Sequence, residues 1–214
     1  LASLQTFVAQ IITDFPTLDT VFINAGIQKS YNIFDPSTIS PDSIIKEITT
    51  NLTAPNLLAQ LFAPHLLRLA KSGTKSTIFI TSSSLAYLPL SFYPTYCATK
   101  AGIHAFAKTF RQQLHFAGEE ARKNMNIVEV VPPYVDTGLD KEHKDLVMGM
   151  QGGKDKAHPP MALKDYVDQF FASLEELTPD GNIKKEIGVG FGQMGAELWR
   201  RSFEGVYEGM GLTV

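Results

Sequence analysis

Cysteine is almost absent: Cys97 stands alone in 214 residues, which excludes an intrachain disulfide and leaves no thiolate cluster to hold a metal. A reducing, cytoplasmic setting is the expectation that fits such usage. An excess of one charge is lacking too. There are 19 Lys and Arg against 22 Asp and Glu, a net −3, and they are scattered rather than gathered into a face or tail. Neither nucleic acid nor an anionic membrane is expected as a partner. Long hydrophobic runs are missing: residues 57–69 are interrupted by Gln60, Pro64, His65 and Arg68, short of the roughly 20 apolar residues that span a bilayer. No secretory leader is visible. The histidines, at 65, 104, 115, 143 and 158, lack metal-ligand spacing, so packing or solvated roles are expected. There is also no initial Met. Leu1 falls within what already reads as an amphipathic helix, and the expectation is that the gene begins upstream.

What is present is a large apolar fraction, 44%, enough for one core, and residues 1–214 read as one domain. Residues 1–15 place Leu4, Phe7, Val8, Ile11, Ile12 and Phe15 at helical spacing, ending at Pro16. Residues 20–24 (TVFIN) form a nearly continuous apolar run, as in a strand buried on both faces of a parallel sheet. The spacing predicts a long helix over 40–71, opened by Ser40-Pro41-Asp42. Two further strand signatures follow, 77–81 (TIFIT) before Ser82-Ser83-Ser84, and 126–131 (NIVEVV) before Pro132-Pro133. Between them 96–122 reads as helix, with Ala101, Ala105, Phe106, Phe110 and Leu114 on one stripe. A flexible stretch over 138–160, a helix over 162–177, a last strand over 186–191 and a Gly-rich closing segment complete the chain. Strand alternating with helix implies an α/β, doubly wound parallel sheet flanked by helices. Ligands of such sheets bind beyond the carboxyl ends of the strands, which selects 24–26, 82–84 and 132–137 before any motif is considered.

The chemistry gathers at those ends. Tyr96 and Lys100 are four apart near a helix start and share one face. A phenol titrates near about 10, a poor proton donor or acceptor at neutral pH, and a nearby ammonium group favours its anion. Together they make a usable general acid/base. Ser83 precedes Tyr96 by thirteen residues, at a strand end where its hydroxyl can bond a substrate carbonyl beside the phenol. Taken alone, the Tyr and Lys are an ordinary exposed helix pair and the serines ordinary turn residues. Their joint spacing and position are more specific.

Tyr96-x-x-x-Lys100 after a Ser83-bearing strand end, Asn24-Ala25-Gly26 closing an earlier strand, and Asn51 within the intervening helix together resemble the short-chain dehydrogenase/reductase family over roughly residues 1–174. The resemblance implies a Rossmann-like fold and an oxidoreductase passing hydride between NADP(H) or NAD(H), with NADP preferred, and a small carbonyl or alcohol substrate. It implies that Tyr96 exchanges the proton, Ser83 polarises the substrate oxygen, Lys100 lowers the Tyr96 pKa and bonds the nicotinamide ribose, and Asn51 holds a water linking Lys100 to solvent. Asn24, Ala25 and Gly26 would line the cofactor, and Pro132, Val135 and Thr137 would hold the nicotinamide amide. Pro133 departs from the glycine usual in that turn. Asn51-Leu52-Thr53 also reads as a glycosylation sequon, which its place inside a helix disfavours. Residues 138–160 resemble the family's closing lid, with substrate entering beside 88–93; Leu88, Leu90, Phe92, Tyr93 and Tyr134 suggest an apolar one. The resemblance further implies a homodimer or homotetramer. Phe106, Phe110 and Leu114 serve equally well as its interface or as core.

The family's glycine-rich phosphate loop is not in the sequence, and at its usual spacing roughly 60 upstream residues are expected. Without them the 21–23 strand becomes an exposed apolar edge, to be covered by that segment or by a partner. Residues 190–195 (GFGQMG) imitate a dinucleotide fingerprint but lack the following strand and acidic residue about twenty positions on, and read as C-terminal loop. Residues 140–145 (DKEHKD) read as a solvated helix face. Two other functions remain open: a cofactor-free scaffold or regulator that keeps the tetrad as a relic, and a cyclase or lyase that moves protons without hydride.

Overall fold

The computed structural model describes residues 3–179 and 181–214. Four strands form one parallel sheet in the order β1 (Thr20–Ile23), β2 (Ser76–Thr81), β3 (Met125–Val131), β4 (Glu186–Gly188). The register pairs Ile23 with Ile80, Thr81 with Val130 and Val131 with Gly188, so the strands end together along one rim. Side chains alternate across each strand. Ile78, Ile80 and Ile127 point into a core built with α1 (Leu4–Asp14), α3 (Ala54–Lys71) and α4 (Pro94–His115), while Phe79, Val128 and Val130 face α7 (Leu163–Glu175) through Phe170. The remaining helices are α2 (Pro41–Ile48), α5 (Glu119–Asn124), α6 (Lys144–Met150) and α8 (Phe191–Gly209). The two faces are thus both covered by helices, as the alternating pattern predicts. No helix among the described residues is long and apolar enough to cross a membrane.

Several boundaries differ from the sequence reading, each for a physical reason. Leu1 and Ala2, assigned there to the first helix, lie outside the described residues. The 40–71 helix is interrupted by one turn of π-helix, Thr49–Thr53, which carries Asn51; such wide turns concentrate at functional sites. Helix α4 starts at Pro94, two residues earlier than read, with proline preorganised for the first turn. It stops at His115, because Gly118 adopts φ +108° and separates α5. Strand β1 is buried only at Ile23. Among the described residues it pairs with β2 alone, and Phe22 stays 47% exposed while stacking on Phe79 at 5.2 Å between ring centroids.

The buried stripe of α4 coincides only in part with the one that hydrophobicity selects. Ala101 and Ala105 are exposed, while Thr99, Lys100, Ile103, Ala107, Lys108 and Arg111 are buried. Lys108 and Arg111 both reach Glu186 on β4 at 2.5 Å, so their charges are buried as pairs. Phe106, Phe110 and Leu114 are partly buried against the core.

Residues 190–195 are no loop. Gly190, at φ +55°, precedes α8, and Gly192 lies in its first turn with no room for a side chain: a Cβ there would sit 1.9 Å from the Val131 carbonyl oxygen. These glycines let α8 touch the end of β3. The 138–160 segment, read as flexible, contains α6, whose Val147 packs with Tyr93, Tyr96 and Cys97. Residues 140–143 form a turn rather than a helix face, and Asp140 is buried because the Tyr134 hydroxyl donates to it at 2.6 Å.

Candidate active site

A cavity of about 720 Å³ opens at the carboxyl rim of the sheet, a volume in the range of small-molecule sites. Ser83, Tyr96 and Lys100 lie in its wall, with Asn24, Gly26, Pro132, Val135 and Thr137. Ser83 follows β2 in extended conformation, and its hydroxyl oxygen accepts from the Leu85 N–H at 3.1 Å, fixing the short turn behind it. Its hydroxyl lies in the same wall as the Tyr96 phenol. Burial pushes the Tyr96 phenol above its ordinary value, and the neighbouring Ser83 hydroxyl opposes that rise.

Lys100 sits one turn further along α4, its Nζ 5.5 Å from the centroid of the Tyr96 ring. It donates to the Thr81 carbonyl at 2.8 Å. Burial lowers it to about 8, since a desolvated ammonium is costly. Gly26 lies against both arms of the site. A Cβ there would be 3.5 Å from Asn51 Oδ1 and 3.7 Å from Lys100 Nζ.

Asn51 and Ala25 are not part of the cavity wall. The Asn51 side chain is committed to the backbone of Ile27, and its Nδ2 also donates to Thr99 Oγ1 at 3.3 Å. Asn24 accepts from the Thr81 hydroxyl at 2.8 Å, tying the tip of β1 to β2. Of the residues read as substrate contacts, Leu90, Phe92, Tyr93 and Tyr134 line the cavity, but Leu88 is 60% exposed and does not.

The sequence reading missed Gln28, Met148, Tyr166 and a buried carboxyl, Glu47. Glu47 accepts from the Lys29 N–H at 2.9 Å through Oε1, while Oε2 has no partner, and burial pushes it up to about 7. One signal was available: Glu47 precedes Asn51 by one helical turn, so both face the same loop. Lys29 in turn bridges to Glu142 at 2.5 Å, joining that loop to the segment over the cavity. Among the described residues no group of three or more His, Cys, Asp or Glu side chains is arranged to hold a metal ion.

Residues 1–146 match the family described as short chain dehydrogenase. The chain belongs to that family. It is 35% identical over 165 residues to the uncharacterized oxidoreductase DltE of Bacillus subtilis, covering 77% of this chain and 58% of the relative. It is 33% identical to an L-xylulose reductase of Aspergillus niger, covering 72% and 61%, and 31% identical to a benzil reductase of B. subtilis, covering 63% and 52%. The chain therefore spans little more than half the length of these curated relatives. In fold it resembles a 3-ketoacyl-(acyl-carrier-protein) reductase from Brucella melitensis solved with NADH, at TM-score 0.66 and 20% identity over 90% of this chain and 74% of that one. It also resembles a short chain dehydrogenase from Burkholderia cenocepacia solved with NADP, at TM-score 0.65 and 18% identity over 95% and 75%. The doubly wound α/β architecture is shared with these structures.

Proposed function

We propose that this chain carries the reaction centre of an NADP(H)- or NAD(H)-dependent oxidoreductase acting on a small carbonyl or alcohol substrate with an apolar flank. What carries the reading is the convergence of the Tyr96 phenol, the Ser83 hydroxyl and the Lys100 ammonium on one cavity wall at the sheet's carboxyl rim.

The residues present fit the nicotinamide half of such a cofactor. Among the described residues Lys100 has one hydrogen-bond acceptor, Thr81, so its other N–H bonds are available to ribose hydroxyls, and the absence of a Cβ at Gly26 keeps that side of the wall low. Pro132, Val135 and Thr137 would flank the nicotinamide amide, and Asn24 and Gly26 the ribose side. When bound, the cofactor would donate or accept the hydride at the substrate carbon.

The protein's part is the proton. In the reducing direction Tyr96 gives its phenolic proton to the carbonyl oxygen as that oxygen becomes an alcohol. Ser83, in the wall beside the phenol, gives its one hydroxyl proton to the substrate oxygen and holds it in line. Burial disfavours the phenolate, and the Lys100 ammonium, 5.5 Å from the Tyr96 ring, would favour it and so keep Tyr96 usable in both directions. Asn51 acts behind the wall by holding the loop of Gly26 and Ile27 in place, and a water reaching Lys100 past that loop would return the proton to solvent. Leu90, Phe92, Tyr93 and Val147 exclude bulk water and favour an apolar substrate.

The decisive test is titration of the intact protein with NADPH and with NADH, followed by nicotinamide fluorescence. Turnover is then assayed against a panel of aryl and alkyl ketones and aldehydes. Saturable binding of at least one nucleotide and its oxidation by a carbonyl compound are expected. Failure to bind either overturns the reading in favour of a scaffold or a proton-transfer enzyme.

A further inference from the structure

Strand β3 carries a carboxylate in the middle of its buried face. Glu129 is fully buried between Val128 and Val130, on the side of the sheet that faces α4. Its Oε1 accepts from the Ser82 hydroxyl at 2.6 Å, and the Ser82 oxygen accepts from the Ser83 N–H at 2.6 Å. Its Oε2 accepts from the Tyr87 hydroxyl at 3.2 Å, so the carboxylate holds both ends of the turn that contains Ser83. From the other side His104 Nδ1 lies 2.9 Å from Oε2, and Lys108 Nζ 3.8 Å. His104 is one turn beyond Lys100 and two beyond Tyr96 on α4. Its ring is packed edge-on against Tyr87, at 4.5 Å between centroids, and Trp199, at 5.1 Å, which fixes its orientation. Burial works to raise the Glu129 pKa, but the His104 hydrogen bond and the His104 and Lys108 charges hold it below the ordinary carboxylate value, so it remains an acceptor.

We propose that Glu129 is a positioning residue that sets the separation of Ser83 and Tyr96, because one carboxylate grips both the turn that carries the serine and the helix that carries the phenol. Stability alone gives no reason for it. An apolar residue packed between α4 and β3 would hold the layers together at least as well, since the desolvation of buried charges commonly cancels their attraction. What an apolar residue cannot do is fix direction. Hydrogen bonds to Ser82, Tyr87 and His104 constrain the turn and the helix in angle as well as distance, and catalysis at Tyr96 is sensitive to displacements of the order of an ångström. The polar stripe of α4, running Tyr96, Lys100, His104, Lys108 and Arg111, thus divides by role: the first two face the cavity, and the rest lock the helix to Glu129 and Glu186.

The inference rests on the proposed oxidoreductase reading, and its test has an arm that does not. Ser82→Ala cuts the link from Glu129 to Ser83 while leaving the His104 and Lys108 pairs, and Ser82→Thr restores the hydroxyl. The full-length protein and both variants are compared by kcat, KM, nucleotide affinity, Tm and the ¹³Cζ NMR resonance of Tyr96, assigned with Tyr96→Phe. For Ser82→Ala, kcat is expected to fall between roughly tenfold and a hundredfold with KM and affinity kept, beside the modest fall in Tm that losing a buried hydrogen bond brings. The Tyr96 resonance should move, and Ser82→Thr should restore both. An unmoved resonance overturns the proposal whether or not kcat falls, because a loss of kcat without it follows only from lost stability. Glu129→Gln, which keeps one acceptor oxygen but loses the charge, is expected to shift the resonance in the same direction, and no shift in its folded form also counts against the proposal. A wild-type protein that reduces nothing defeats the oxidoreductase reading alone, because the resonance still reports the position of Tyr96.

Discussion

The Asn51 carboxamide takes up both backbone groups of Ile27: Oδ1 accepts from the Ile27 N–H at 2.8 Å and Nδ2 donates to the Ile27 carbonyl at 2.7 Å. Two bonds from one buried side chain fix the loop that follows β1, and with it Gly26 at the cavity wall. Asn51→Ala leaves a part-buried N–H and carbonyl without partners, at a cost of about 1–3 kcal/mol. Urea unfolding should show that loss, and turnover should fall with it as the loop relaxes. A variant as stable and active as wild type would mean the loop is held elsewhere.

Tyr96→Phe keeps the ring packed between Tyr93 and Lys100 and removes only the phenolic hydroxyl. Turnover should drop by roughly 10²–10⁴-fold, the usual contribution of a positioned acid/base. The loss of one hydroxyl should change stability by only about 0.5–1.5 kcal/mol. Steady-state assay and thermal unfolding of the same preparation separate the two. Retained activity would remove Tyr96 from the mechanism.

Glu47 titrates at about 7 in the folded protein because burial disfavours its charge, against an ordinary value of 4.5. Between those pH values the folded state keeps a proton that the unfolded chain has released, so stability falls as pH rises from about 4.5 to about 7 and levels off above. Glu47→Gln is neutral throughout and should escape this loss. Its Tm advantage over wild type is expected to grow across that window, as measured by thermal unfolding in matched buffers. An advantage that shrinks with rising pH would reverse the sign and exclude burial as the cause.

Two glycines of α8 should respond oppositely to alanine. At Gly192 the added Cβ meets the Val131 carbonyl, so helix or strand must move, with a destabilisation of roughly 1–3 kcal/mol. At Gly205 nothing lies within 4 Å, and alanine should stabilise the helix by about 0.5–1 kcal/mol. Denaturant midpoints of the two variants test the close approach of α8 to β3 directly.

The sequence by itself determined the parallel sheet, the helices over both its faces and the convergence of Ser83, Tyr96 and Lys100. Those features are written in short-range pattern: apolar runs ending in small polar residues, and a Tyr and Lys one helical turn apart. Which charged groups are buried could not be read in that way. Lys108 meets Glu186 across 78 positions and Ser82 meets Glu129 across 47, and only the packing of α4 on the sheet brings those partners together. The stripe chosen by hydrophobicity on α4 went to Ala101 and Ala105 for the same reason, since a buried lysine looks like a surface one until its carboxylate is located. Tertiary structure alone also decided that residues 191–195 are helix and that Asn51 lies in a widened turn. Gly192 tolerates its place because Val131 is there, and Asn51 faces Ile27 because β1 ends beside it.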